Sequence, residues 1–174
     1  DASRAADRWD TTVGGGYLAA GATKGIAGFR GNVIGVDDAL SEQTAKSKIE
    51  REKVLENWHS GIASRLLPKG SIVITNTRWH VMDVAGYVLK QQEEIEEADQ
   101  WTRLTYAALA DKKTAEKVSV SVGTSFWPAM WPTKHFEKLR ETMIPNDFAA
   151  LYMQSPYVEG GNIIKKKSIK DWVA

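Results

Sequence analysis

Apolar and polar positions along the chain fall into short blocks with two different rhythms. In NVIGVDDAL, Val33, Ile34 and Val36 form an apolar run that ends in two acids, Asp37 and Asp38. A run without polar alternation predicts a strand buried on both faces, as in a parallel sheet. Ser71–Thr77 (SIVITNT) repeats the pattern and is dense in β-branched residues, which favour the pleated conformation. Between the two runs the rhythm becomes helical: Ile49, Val54, Leu55, Trp58, Ile62, Ala63 and Leu66 recur at three- and four-residue spacing. Ser41, followed by Glu42 and Thr44, offers N-cap candidates for one long helix, and Pro68 and Gly70 are expected to end it.

The blocks on either side extend this order. Residues 10–22 read as a strand interrupted by Gly14, Gly15 and Gly16, and Thr23–Gly31 reads as a glycine-rich loop. Met82–Glu97 predicts a second helix, Trp101–Leu109 a third strand and Lys117–Val122 a fourth. Thr133–Met143 is an amphipathic helix, and Asn146 or Asp147 is placed to cap a short helix running to Gln154 before Pro156 stops it. The tail EGGNIIKKKSIKDWV, with Lys165, Lys166 and Lys167, has the texture of a connector. Strand, helix, strand, helix, strand predicts an α/β fold with a mostly parallel sheet flanked by helices.

Composition narrows the classes. The 174 residues carry 23 Lys+Arg against 22 Asp+Glu, with 43% hydrophobic residues, which is ordinary for a globular chain and unlike a disordered or fibrous one. There is no apolar run of the ~18 residues that a membrane span needs. The absence of cysteine removes disulfides and thiolate metal sites. The near-neutral total leaves nucleic acid open as a partner, since a local basic stripe survives inside a balanced sum.

Three strings carry candidate chemistry. In VIGVDD, Asp37 and Asp38 stand at the carboxyl end of a strand, where open α/β sheets bind ligands. In nucleotide hydrolases of the P-loop type the first such acid holds Mg²⁺ and a neighbouring acid orients water; a strand running into an Asp-containing turn fits the same short pattern. In TNTRWH, Thr75, Asn76 and Thr77 are suited to contact phosphate or water, and Arg78 to a bidentate contact with a carboxylate or phosphate. His80 and Asp83 are two potential metal ligands, but a hydrogen-bonding role is favoured for so small a set. The loop GATKGIAGFRG, with Lys24 and Arg30, allows close backbone approach to an anion, yet Lys24 is followed by Gly25, so it is not a Walker A loop. No G-x-x-x-x-G-K-[ST] string occurs anywhere in the chain.

In order, AAGATKGIAGFRG, VIGVDDAL, ENWHSGIASRLLPKG, ITNTRWHVMDVAGYVL, FAALYMQSP and EGGNIIKK resemble the large subunit of tailed-phage terminase, the DNA-packaging motor. The resemblance spans nearly the whole chain and rests on the ordered set. It implies a P-loop NTPase-like sheet, incomplete because the N-terminal Walker A portion is missing from these residues. Residues 1–132 would be the C-terminal portion of the ATPase core, and 133–174 a helical segment and linker toward a nuclease domain.

By position, the resemblance makes Asp37 the Mg²⁺-coordinating Walker B acid and Asp38 the catalytic acid, one methylene shorter than the Glu usual in the family. Thr75, Asn76 and Thr77 match the coupling motif, Arg30 is a candidate arginine finger, and Arg78, His80 and Asp83 take a supporting role. The implied cofactors are ATP and Mg²⁺. The implied partners are double-stranded DNA, the portal protein, the terminase small subunit and further copies in a ring, with no membrane, in the cytoplasm of an infected host. Without a phosphate loop, the 174 residues alone are expected to be inactive. A non-hydrolysing interaction or DNA-binding module, or a prophage remnant, is the competing reading.

Overall fold

The computed structural model describes residues 4–5, 7–22, 26 and 28–157. The chain forms two compact units, 1–76 and 77–174.

The first unit is mixed α/β. It opens with a small antiparallel sheet of β1 (Arg4–Ala5), β2 (Arg8–Asp10) and β3 (Gly16–Leu18), in that order. The expected single strand over 10–22 is thus a hairpin. Gly14 sits at φ +87°, which a side chain would strain, and the Thr11 carbonyl accepts from Gly14 N–H at 3.3 Å to turn the chain. Trp9 pairs with Tyr17 across the hairpin, their rings stacked 5.5 Å apart. Lys24 lies outside the described residues.

A two-stranded parallel sheet follows, β4 (Gly31–Asp37) beside β5 (Leu66–Thr75), joined by a helical crossover. Pairing runs in register from Val33–Ser71 to Asp37–Thr75. The sheet is buried on one face rather than two. Val36 is buried and Ile34, Ile72 and Ile74 half-buried, while Val33 (69% exposed) and Val73 (56%) face solvent on the other side.

The crossover departs from the single expected helix. Ser41 does cap a helix: its Oγ accepts from Thr44 N–H at 3.3 Å and Thr44 Oγ1 accepts from Ser41 N–H at 2.8 Å, a reciprocal capping box. That helix, α1 (Glu42–Lys46), stops after one turn because Ser47 adopts an extended conformation and caps α2 (Lys48–Asn57), accepting from Glu50 N–H at 3.3 Å. Arg51 Nη1 donates back to the Ala45 carbonyl at 2.6 Å, satisfying the end of α1. The chain then widens into a π turn (Trp58–Ile62) and tightens into a 3₁₀ turn (Ala63–Arg65).

Pro68 and Gly70 do not end the helix; they lie inside β5. Leu66 pairs with Gly31 and Ser71 with Val33, so residues 67–70 bulge against Asn32 alone. Pro68 has no ladder N–H to offer, and Lys69 sits at φ +66° in the left-handed region. A Cβ on Gly70 would lie 2.7 Å from the Asn32 carbonyl oxygen, so only glycine closes the bulge.

The second unit is helical: α3 (Val84–Glu94), α4 (Lys112–Val118), α5 (Thr133–Thr142) and α6 (Pro145–Leu151). Its core gathers Ala108, Leu109, Phe136 and Phe148, with Leu139, Met143, Tyr152 and Met153 against them. The expected third strand, Trp101–Leu109, is irregular. Ala108 N–H donates to the Tyr152 carbonyl at 2.7 Å and Ala110 N–H to Thr124 at 2.8 Å, and the one bridge there joins Leu109 to Ser125. The expected fourth strand, Lys117–Val122, is instead the end of α4 and the turn after it, with Ser119 left-handed at φ +56°. The short last helix starts at Pro145 with no side-chain cap; Asn146 Oδ1 accepts from Tyr157 N–H at 3.4 Å instead. The connector at 159–173 lies outside the described residues. Among the described residues no helix is long and apolar enough to cross a membrane.

Candidate functional site

Parallel pairing delivers the ends of β4 and β5 to one edge of the first unit. Asp37 is the last residue of β4 and stands opposite Thr75, the last of β5. The ladder goes one step further: Asp38 N–H donates to the Thr75 carbonyl at 2.9 Å. Asp38 then turns at φ +38°, a region few non-glycine residues occupy and Asp tolerates better than most. That turn leads the chain into the Ser41 cap. Asp37, Asp38 and Thr75 are exposed at this edge, and Asn76 follows directly, half-buried.

An open cleft of ≈ 310 Å³ lies beside the turn, lined by Ala22, Asp38, Ala39, Ser41, Thr44, Glu50 and Val54. It places a second acid, Glu50, on the same cleft as Asp38. Sequence reading passed over Glu50, although Ser47-x-x-Glu50 is a helix-start pattern that puts a carboxylate in the first turn. Glu50 Oε1 also accepts from Lys53 Nζ at 2.8 Å. The Ser41 and Thr44 hydroxyls are committed to the capping box, 3.0 Å apart.

Arg30 is not brought to this edge. It is exposed and precedes Gly31, so the length of β4, at ~3.3 Å per residue, separates it from Asp37 by about 20 Å. Thr77 opens the second unit, where its carbonyl accepts from Trp79 N–H at 2.9 Å.

Arg78, His80 and Asp83 are held in a local network. Asp83, 2% exposed, caps α3 by accepting from Gly86 N–H at 2.7 Å through Oδ1. Its Oδ2 accepts from Arg78 Nε at 2.8 Å. His80 Nδ1 accepts from Met82 N–H at 3.0 Å, which leaves the neutral ring its proton on Nε2. Both Asp83 oxygens and His80 Nδ1 thus take part in hydrogen bonds, the role favoured for this pair on the sequence.

Among the described residues no three His, Asp or Glu side chains gather as a metal site. A nucleotide-type Mg²⁺ needs less, because it takes one or two carboxylates and completes its octahedron with waters and phosphate oxygens. Asp37 and Asp38 supply carboxylates of that kind.

No protein-family model matches the chain, and no curated protein matches it.

Proposed function

We propose that this chain carries the Walker B and coupling segments of a DNA-packaging ATPase of the terminase large-subunit type. What supports the reading is the shared carboxyl edge of β4 and β5, with Asp37 opposite Thr75 and Asp38 bonded to the Thr75 carbonyl. In a phosphoryl-transfer site an acid that holds the metal must lie beside a strand that senses the γ-phosphate, and adjacent parallel strands bring the two together.

In this reading Asp37 is the metal carboxylate, and Asp38, on the cleft it shares with Glu50, orients the attacking water. Thr75, Asn76 and Thr77 form the coupling segment. Mg²⁺ bound with ATP would neutralise charge on the phosphate oxygens. Arg30, about 20 Å from Asp37 along β4, fits a finger that reaches another subunit's nucleotide rather than its own. DNA, portal protein, the small subunit and a ring of copies are the partners this role requires.

Phosphoryl transfer also needs a phosphate cradle, and the 174 residues contain no G-x-x-x-x-G-K-[ST] string. The chain by itself is therefore expected to show no ATP turnover. Mg²⁺-dependent turnover by these residues alone, abolished by Asp37→Ala, would overturn that expectation. The reading frame that carries them is expected to encode the cradle; a frame without one favours a non-hydrolysing interaction module.

A further inference from the structure

In the second unit several large rings lie exposed within one short stretch of chain. Trp127 is 52% exposed, Met130 55% and Trp131 41%, a high exposure for three large apolar side chains in succession. The Trp127 carbonyl accepts from Met130 N–H at 3.2 Å and Trp131 N–H at 2.9 Å, so one tight turn sets Trp131 a turn beyond Trp127. His135 N–H donates to the Pro132 carbonyl at 2.8 Å, and the exposed His135 ring lies 4.9 Å from that of Trp131, tilted by 34°. Phe136, buried in the core, supports Trp131 at 6.5 Å. The Trp131 ring is thus held in place while much of it stays in water, and a fixed ring loses less side-chain freedom on binding.

Charge decides which partner suits these rings. On α5, Phe136 and Leu139 turn toward the core, joined by Met143 just past the helix end, and Lys134 and Lys138, four residues apart, are exposed. Arg140 adds a third cation; Glu137 and Glu141 are the acids on the same helix. Rings beside cations match the alternation of bases and phosphates in an unpaired strand, where every base has a free face to stack. A duplex keeps those faces covered.

We propose that Trp127, Trp131 and His135, flanked by Lys134 and Lys138, form a binding surface for single-stranded nucleic acid. The surface is independent of the ATPase reading and needs neither nucleotide nor metal.

The test is fluorescence anisotropy of a labelled oligothymidylate with the 174-residue chain, in metal-free buffer across a salt series. Saturable binding is expected. Trp131→Ala and Trp127→Ala should each weaken it on the order of tenfold, with Trp127→Phe retaining most of the affinity. Lys134→Gln with Lys138→Gln should lower the slope of log K against log salt by about 1.4, at ~0.7 per phosphate contact on a single strand. A duplex of equal length should bind at least roughly tenfold more weakly. Because Trp131 touches the core, circular dichroism and thermal melts accompany each variant, and the Trp127 pair decides if Trp131→Ala fails to fold. No saturable binding, unchanged affinity in folded Trp127→Ala, or equal duplex binding indifferent to the tryptophans would each overturn the proposal.

Discussion

Removing the Asp83 carboxylate tests the local architecture most severely. Asp83→Ala deletes two bonds at once: the cap on α3 through Gly86 N–H at 2.7 Å, and the ion pair with Arg78 Nε at 2.8 Å. Loss of an N-cap acceptor typically costs ~1 kcal/mol. Removing one partner of a buried pair costs about 3–5 kcal/mol, because the other charge stays behind without compensation. The Arg78 side chain keeps 13% of its surface in water, which eases its isolation and places the pair near the low end, at about 3 kcal/mol, and the total with the cap at about 4 kcal/mol. Asp83→Asn keeps an oxygen for Gly86 N–H and should lose about half as much, mainly the charge-assisted bond. Urea unfolding followed by circular dichroism reads these values. The double-mutant cycle with Arg78→Met separates cap from pair, since Asp83→Ala should cost less once the stranded cation is gone. A cost below ~1 kcal/mol for Asp83→Ala, or strict additivity with Arg78→Met, would refute the buried-pair reasoning.

Three further outcomes follow from single positions. Gly86→Ala should destabilise by about 1–3 kcal/mol in the same unfolding assay, despite alanine's better helix propensity, because its Cβ would run into the Val81 carbonyl and lie 2.8 Å from Arg78 Nη2. Ser41→Ala removes the Oγ that Thr44 N–H donates to, and should cost about 0.5–2 kcal/mol with local fraying of α1 seen by amide hydrogen exchange. Asp111 caps α4, and the backbone bond from Thr114, followed by its side-chain bond, holds the Asp111 carboxyl below its ordinary 3.8. Its folded pKa is depressed, so its contribution is fully present above that ordinary value and fades as pH falls through the folded one. Asp111→Asn, an equally good cap, should flatten that acid limb in a stability-against-pH series.

Local signals proved the most legible part of the fold. The apolar run ending at Asp37, the strand within the expected Ser71–Thr77, the Ser41 cap and the α5 stripe are all short-range patterns, and each appears, although β5 runs over Leu66–Thr75 and the helix that Ser41 caps is only one turn long. The failures have physical causes. Periodicity from Ile49 to Leu66 cannot reveal that Ser47 will turn extended and restart the helix, because both conformations keep the same apolar stripe. Pro68 and Gly70 read as a helix stop, but the chain had already ended its last turn at Arg65 and used them to bulge β5. The alternation in 117–122 lost to a stronger local signal, the Asp111–Thr114 cap, which turns Lys117 into the last turn of α4. At the candidate site, the end of β4 at Asp37 was readable from residue type alone, while β5 ends at Thr75, two residues before the expected Thr77. Glu50 was not readable, because its place on the Asp38 cleft depends on the break at Ser47.

The most direct test of the central claim is steady-state ATP hydrolysis by a chain that joins these residues to a phosphate-binding loop, as wild type and as Asp37→Ala. Asp37 is exposed at the end of β4, so the substitution should leave the fold and melting temperature unchanged. The account predicts Mg²⁺-dependent turnover that falls by on the order of 10²-fold or more in the variant. Equal turnover in a variant that folds normally would contradict it.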